Sequence, residues 1–335
     1  ASYGIFYDTP ENFYGDRYSD APPWGSSITP TMGPTAGNLT NPYAAYPGGN
    51  PFPLAFPPPK NAIFTLEGTY VNFSLDQKPT YMQQWDLSYQ RQFSRDWLIS
   101  ATYIGNHTVH VWGGNELNPA VDSPAVCATF TKGCSTSNTN QRRVLYLANP
   151  AQGVYYATLA QNYDGAYANY NALLLSARHR FSNNFTLLTN YTYSHCLSLT
   201  DFTGELTGPS FQNPSNPGDD YGNCGFDLRG NFNASLVATT PRLHGGWAGR
   251  VFGGWQISPI VSYHSGLWFS PSSSKDNSLT GVGHDRPNVV SGANFYTSGA
   301  CANVAPCVNY FDPAAYSTNP TGTFGNAGRD SILGP

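Results

Sequence analysis

The feature that most constrains this chain is an alternation of apolar and polar residues in three pairs of consecutive segments. Successive side chains of a β-strand point to opposite faces, so the alternation predicts strands with one apolar and one polar face. In the first pair the apolar positions are Trp85, Leu87, Tyr89 and Phe93, then Trp97, Ile99, Ala101 and Tyr103. The connection Ser94-Arg95-Asp96 is short enough to predict a β-hairpin.

Two further pairs repeat this design. In the second, the apolar positions are Leu173, Leu175, Ala177 and Phe181, then Phe185, Leu187, Tyr191 and Tyr193. In the third, they are Phe232, Ala234, Leu236 and Ala238, then Trp255, Ile257, Val261 and Tyr263. The predicted strands are 1–8, 82–93, 97–105, 169–181, 185–195, 226–240 and 255–269. The segments between hairpins are rich in Gly, Pro, Asn and Ser and predict long loops at 9–81, 106–168, 197–225 and 270–335.

Short turns at one end of the strands and long loops at the other are typical of an outer-membrane β-barrel, with turns in the periplasm and loops outside. The expected fold is therefore all-β, a partial antiparallel transmembrane barrel. A soluble β-sandwich also alternates and is the alternative. Strand length favours the barrel, because about 9–11 residues cross a bilayer whereas strands of globular proteins usually have about 5–6.

Composition narrows the class without deciding it. Charged residues make up 11% of the chain and aromatic residues 15%, whereas charged residues are about 25% of a typical soluble protein. A barrel with a lipid-facing band fits these values, and so does a secreted protein that binds glycans through exposed aromatic rings. The net charge of −4 without a basic run gives no support for nucleic-acid binding.

The six cysteines form three local pairs in predicted loops. The pairs are Cys127 with Cys134, Cys196 with Cys224, and Cys301 with Cys307. Six cysteines allow 15 connectivities, and pairing between neighbours is the expectation. Disulfides indicate an oxidising compartment such as the periplasm or cell surface. The spacings do not fit a zinc site, so no metal is predicted there.

The chain is expected to be one partial barrel domain over residues 1–335. Seven predicted strands are too few to close a barrel that carries loops of this length. No apolar run is long enough for a membrane helix, and no signal peptide is recognisable. The last residues, Gly334-Pro335, do not form the final strand with a terminal aromatic that is usual for a completed bacterial barrel.

The stretch from Pro79 to Phe93, PTYMQQWDLSYQRQF, resembles a hairpin of TonB-dependent outer-membrane receptors. It is most similar to their Oar-like group, whose members carry a carboxypeptidase-regulatory-like domain ahead of the plug. Further similar segments follow in the family's order: Asn169 to Leu173, Asn190 to His195, Phe226 to Arg229, Gly253 to Ser258, Asp285 to Asn288, and Gly322 to Arg329. The resemblance covers nearly the whole chain.

The resemblance implies a 22-stranded barrel with an N-terminal plug and a short segment that contacts TonB. Such receptors take up scarce, bulky nutrients with energy relayed by TonB. This chain shows no plug domain, no TonB-contacting segment and no final strands. We therefore expect it to supply part of the wall, in contact with outer-membrane lipid, and the loops that capture an unknown nutrient. Contact with TonB would occur only through the missing plug region.

No catalytic motif, cofactor fingerprint or paired-histidine spacing is recognisable, so an enzyme is not expected. Arg178 and Arg180 alternate with the apolar positions and are predicted to face the lumen. There they would attract anionic solutes or pair with carboxylates of the lumen or plug. Asp219, Asp220 and Asp227 could hold a calcium ion, although Asp-rich turns without an ion are far commoner. The alternative function is a secreted soluble β-protein that binds glycans.

Overall fold

The computed structural model describes residues 1–8, 38–44, 50, 52–53, 55–62, 64, 66–182, 184–201, 209–240, 246–296 and 310–335. Ten strands of these parts form one sheet: β1 Ser2–Tyr7, β2 Gly68–Phe73, β3 Tyr81–Gln92, β4 Trp97–Glu116, β5 Tyr156–Ser182, β6 Phe185–Ser198, β7 Gly222–Asn223, β8 Gly230–Thr239, β9 Gln256–Ile257 and β10 Ile260–His264. Two small ladders pair β11 Trp268–Phe269 with β14 Ile332–Leu333, and β12 Asn288–Val289 with β13 Tyr316–Ser317.

Seven strands of the sheet lie side by side in the order β1, β3, β4, β5, β6, β8 and β10, and each neighbouring pair is antiparallel. This is an all-β meander: β3 and β4, and β5 and β6, are joined by short hairpin turns, whereas long segments join β4 to β5 and β6 to β8. Within the described residues the sheet is open, with β1 and β10 at its edges. Because the described sheet is open, it does not set the number of strands that a closed barrel would contain.

The longest strands extend well past the predicted ends. The loop predicted at 106–168 begins too early, because β4 continues to Glu116 and β5 already starts at Tyr156. The two strands pair with each other as far as Glu116 and Ala160. We call the outer parts of these two strands, residues 106–116 and 156–168, the outer ribbon. Other segments pack on the ribbon, with Phe211 against Val111 and Tyr163, and they bury polar residues and glycines as well as apolar ones. The apolar alternation used for the prediction therefore stops before the strands do.

Other predicted boundaries also differ. The loop predicted at 9–81 contains β2, which pairs in parallel with the outer part of β5. The strand predicted at 255–269 is divided into β9, β10 and β11. Pro259 lies at the first break and has no N–H for the ladder. The loops predicted at 197–225 and 270–335 contain the short strands β7 and β12 to β14.

The register places apolar residues of neighbouring strands opposite one another. Leu87 is opposite Tyr103, Tyr103 is opposite Leu173, and Leu173 is opposite Tyr193. Directly opposed side chains lie on the same side of a sheet. The sheet therefore has one apolar face, which runs across all its central strands, and one polar face.

Beyond the outer end of the strands, the connecting segments pack together. We call the described parts of 117–155, 199–229 and 265–335 the outer region. It contains the short helices Pro124–Cys127, Val144–Ala148 and Pro150–Gly153, and the 3₁₀ turns Thr136–Asn138, Asn140–Arg142, Pro217–Asp220 and Pro313–Ala315. At the opposite end, which we call the turn end, helix Gly246–Phe252 lies between β8 and β9. No described helix is long and apolar enough to cross a membrane.

Candidate functional site

Among the described residues, large side chains on the apolar face of the sheet are exposed. Leu87 is 62% exposed, Ile257 57%, and Ile99 and Leu175 each 41%. In water this would be a large apolar patch of a kind that soluble proteins rarely present. Against lipid hydrocarbon the same face is stable, because the backbone hydrogen bonds are satisfied between strands.

Aromatic rings accompany this face near both ends of the strands. At the turn end the His179 ring lies between Phe185 and Trp97, with ring centroids 4.1 Å and 4.8 Å away. Toward the outer end the indole of Trp85 covers Gly105 so closely that a Cβ there would lie 2.4 Å from Nε1. A side chain at position 105 would force the indole to move. Such belts are typical of the two membrane interfaces.

The polar face carries the two arginines that the sequence singled out. Arg178 lies opposite Leu98 and Leu188 in the register, which places it on the face away from Leu175. Arg180 shares that face, and both side chains are exposed. They line a cavity of about 240 Å³ near the turn end, together with Asp96. That this face borders a lumen stays a prediction.

In the outer region, charged side chains occupy buried positions. The guanidinium of Arg286 forms an ion pair with the buried carboxylate of Asp220. Its Nε donates to the Ala327 carbonyl at 2.7 Å, and its backbone N–H donates to Oε1 of Gln212 at 2.7 Å. One arginine therefore ties together three segments that are far apart in sequence.

Arg329 connects the outer region to the sheet. It pairs with Asp201 at 3.0 Å and Asp330 at 2.6 Å. Its Nε donates to the Asp220 carbonyl at 2.8 Å, and its Nη2 donates to the hydroxyl of Ser198, the last residue of β6, at 2.7 Å. Arg329 thus holds its own segment, the last described one of the chain, against the outer end of the sheet.

A third set of contacts is centred on Arg142 and Arg143, both buried. Arg142 donates to the carbonyls of Val121 and Leu279, each at 2.9 Å. Arg143 donates to the Asn118 carbonyl at 2.7 Å and lies 3.9 Å from Glu116 at the end of β4. Buried charges are tolerated only when they are paired or hydrogen-bonded, and these contacts meet that condition.

Burial changes the ionisation of several carboxyl groups in this region. Desolvation raises the pKa of Asp227, Asp285 and Asp330 above the ordinary aspartate value. The positive charges of Arg229 and Arg329 oppose this effect at Asp227 and Asp330 respectively. The folded outer region therefore holds protons on these groups more tightly than the unfolded chain does.

The outer region also contains a cavity of about 330 Å³. Aromatic rings and hydroxyl groups both line it, and the lining includes Phe269, Phe311, Tyr316, Ser270, Ser272 and Ser317. Aromatic faces combined with hydroxyl groups suit an uncharged polar ligand with apolar faces, such as a sugar. The cavity is open to solvent.

Two of the predicted cysteine pairs are disulfides in the structure, Cys127–Cys134 and Cys196–Cys224. The pair Cys301 and Cys307 lies outside the described residues. The three aspartates considered for calcium are engaged separately. Asp219 accepts from Asn213, Asp220 pairs with Arg286, and Asp227 lies 3.6 Å from Arg229. Among the described residues the one group of three potential ligands is Asp122 with two disulfide-bonded cysteines, which cannot act as thiolates.

The arginine contacts of the outer region were not anticipated from residue chemistry. The sequence distinguishes only by family resemblance the two segments that contain these arginines, Asp285 to Asn288 and Gly322 to Arg329. Both contain one of the arginines that hold the outer region together. The residue type alone gives no signal for this burial, because the partners Asp220 and Ser198 lie far away in the chain.

Comparison with known proteins gives one match. The model of a family described as "Outer membrane beta barrel domain" matches residues 1–335. No curated protein and no solved structure matches the chain.

Proposed function

The chain belongs to the outer membrane β-barrel domain family and is located in the bacterial outer membrane; from this premise we propose that it forms part of the wall and the outer ligand-contacting region of a TonB-dependent receptor. The transported solute would be a bulky nutrient. The observation that carries this proposal is the pairing of an exposed apolar face with an opposite polar face, topped by a packed outer region.

Each part has a separate task in this proposal. The apolar face holds the wall in lipid, and the outer region presents the ring-lined and hydroxyl-lined cavity to arriving solute. The solute then passes along the polar face when a plug moves, with energy supplied through TonB. The plug and its TonB-contacting segment would lie in a part of the receptor other than this chain.

Arg178 and Arg180 lie near the turn end of the polar face, where a plug would contact the wall. Two roles fit their exposure: they draw anionic solute through the lumen, or they pair with carboxylates of the plug. Replacing both by glutamine distinguishes the roles. Loss of solute attraction slows the uptake of anionic solutes alone, whereas loss of plug contacts changes the uptake of every solute.

The alternative, a secreted soluble protein that binds glycans, is supported by the same cavity. It does not account for the exposed apolar face, which would drive aggregation in water. Family membership also favours the membrane protein. A sugar ligand remains compatible with the receptor, so the cavity does not separate the two functions.

Uptake by living cells tests the proposal. Strains with and without the gene are compared for uptake of a labelled ferric siderophore, an oligosaccharide and an oligopeptide, with and without a protonophore. We expect uptake of one solute class to be lost both on deletion and on loss of the proton gradient. Uptake of all three classes that is unchanged by deletion, or that depends on the gene but not on the gradient, would contradict energised transport.

A further inference from the structure

The helix Gly246–Phe252 at the turn end has apolar side chains that the described protein does not cover. Trp247 is 74% exposed, Phe252 59% and Val251 48%. Trp247 and Val251 are four residues apart and therefore lie on the same side of the helix. A helix of seven residues is too short to be stable alone in water, so a surface that receives these side chains is needed.

The helix is attached to the lipid-facing side of the sheet. Trp255 follows Gly254, whose φ of 78° suits glycine and returns the chain from the helix to β9. Thr240 donates its backbone N–H to the Trp255 carbonyl at 2.8 Å, and Ala238 lies opposite Ile257. Trp255 therefore belongs to the apolar face.

The Trp255 side chain reaches back to the helix. Its indole Nε1 donates to the Val251 carbonyl at the end of the helix. Trp255 is itself 59% exposed. The exposed side chains of the helix thus continue the apolar face past the last residues of β8, at the level of the membrane interface.

The connection between β8 and β9 differs in charge from the turns between β3 and β4 and between β5 and β6. The stretch from Thr240 to Trp255 contains two arginines, one histidine and no acidic residue. The turn at Ser94-Arg95-Asp96 is charge-balanced, and the turn at Asn183-Asn184 is uncharged. Arg250 lies in the helix, and Arg242 and His244 precede it in the sequence. Basic residues close in sequence to Trp and Phe are the pattern of a segment that lies in the plane of an anionic lipid surface.

We propose that helix Gly246–Phe252 is an interfacial anchor, seated in the headgroup region of the periplasm-facing leaflet and favoured by anionic phospholipid. The anchor fixes the depth of the wall in the membrane at the turn end. It depends on the membrane location of the chain and not on the receptor function, so the two can fail separately.

Quenching of tryptophan fluorescence by brominated lipids tests the anchor. The protein is placed in phosphatidylcholine vesicles with and without phosphatidylglycerol, with bromine atoms either near the headgroup or near the ends of the acyl chains. The emission of Trp247 is obtained as the difference between the wild type and Trp247→Phe. Trp112→Phe is the matched control, because Trp112 lies on the outer ribbon and donates its indole N–H to the Lys78 carbonyl.

We expect the Trp247 emission to lie at short wavelength, to be quenched most by the shallow bromine atoms, and to be quenched more in the anionic vesicles. Trp112 emission should not respond to bromine at either depth. In Val251→Ser, Trp247 emission should shift to longer wavelength. Emission of Trp247 at the wavelength of a water-exposed indole would overturn the anchor. Short-wavelength emission that no bromine quenches would also overturn it, and would indicate that a protein partner covers Trp247. Equal quenching in both lipids would overturn the preference for anionic phospholipid.

Discussion

The wall, which is the sheet of long strands, exposes large apolar residues, whereas the outer region buries charged ones. In the wall, leucines, isoleucines and aromatic rings are exposed. In the outer region, the buried side chains include Arg142, Arg143, Asp220 and Arg286. The described cluster of buried apolar residues is small, and it joins Leu199 and Phe211 of this region to Ala166 of β5. The wall is therefore stabilised by lipid outside it, whereas the outer region is stabilised by ion pairs and hydrogen bonds within it.

Removing one arginine of the outer region should have the largest effect. Arg286→Ala leaves the Asp220 carboxylate buried without its partner, which typically costs about 3–5 kcal/mol. Hydrogen exchange should show the segment 265–335 opening more readily, while exchange in β3 to β6 is unchanged. Arg180→Ala, an exposed site, is the control and should change little. Equal effects of the two substitutions would contradict the contrast between regions.

The two described disulfides offer a second comparison, because one joins β6 to the outer region and the other lies within the outer region. Cys196 and Cys224 are 28 residues apart and Cys127 and Cys134 only 7. On the chain-entropy model, closing these loops stabilises the folded state by about 3.5 and about 2.5 kcal/mol. Replacing both cysteines of a pair by serine should therefore destabilise more at Cys196–Cys224, measured by hydrogen exchange of the outer region. The reverse order would show that the loops are held mainly by other contacts.

The wall is tested by placing a charge on each face. Leu175→Arg puts a charge against lipid hydrocarbon and should cost about 2–4 kcal/mol in a bilayer. Ser176→Arg puts the same charge on the polar face and should cost little. Unfolding by urea in lipid vesicles measures both. A cost at Ser176 equal to that at Leu175 would mean that the two faces have the same surroundings.

The smallest expected effect is a pH dependence confined to the outer region. Burial raises the pKa of Asp285, so its stabilising contribution is full below the ordinary aspartate pKa and is lost as pH rises through the raised folded value. Hydrogen exchange, corrected for its intrinsic pH dependence, should show more protection at mildly acidic pH than at neutral pH. Asp285→Asn should reduce this difference. If the pH difference in protection is the same in Asp285→Asn, other titratable groups cause it.

The two regions also differ in how far the sequence predicts them. The faces of the wall follow from a period of two, a local property, and the register joins Leu87, Tyr103 and Leu173 on the predicted side. The outer ends of β4 and β5 were missed because other segments pack on them and bury polar residues there, such as Glu116 and Asn162, so the apolar period is lost. The parallel pairing of β2 with β5 joins residues far apart in the chain, and a local pattern carries no signal for it.

The contacts of Arg286 and Arg329 were missed for the same reason. Their partners Asp220 and Ser198 are 66 and 131 residues away. A lone arginine in a loop is usually solvated, so its residue type gave no indication of burial. The pairs Cys127–Cys134 and Cys196–Cys224 could be anticipated because both partners are close in sequence.

Photocrosslinking to lipid tests the central claim, that hydrocarbon covers the apolar face. A benzophenone amino acid is placed singly at Leu87, Ile99 and Leu175, and at their neighbours Ser88, Ser100 and Ser176, in protein embedded in bilayers. The account predicts adducts with acyl chains at the first three positions and none at the second three. Crosslinks from Leu87, Ile99 and Leu175 to other parts of the protein, without lipid adducts, would contradict it.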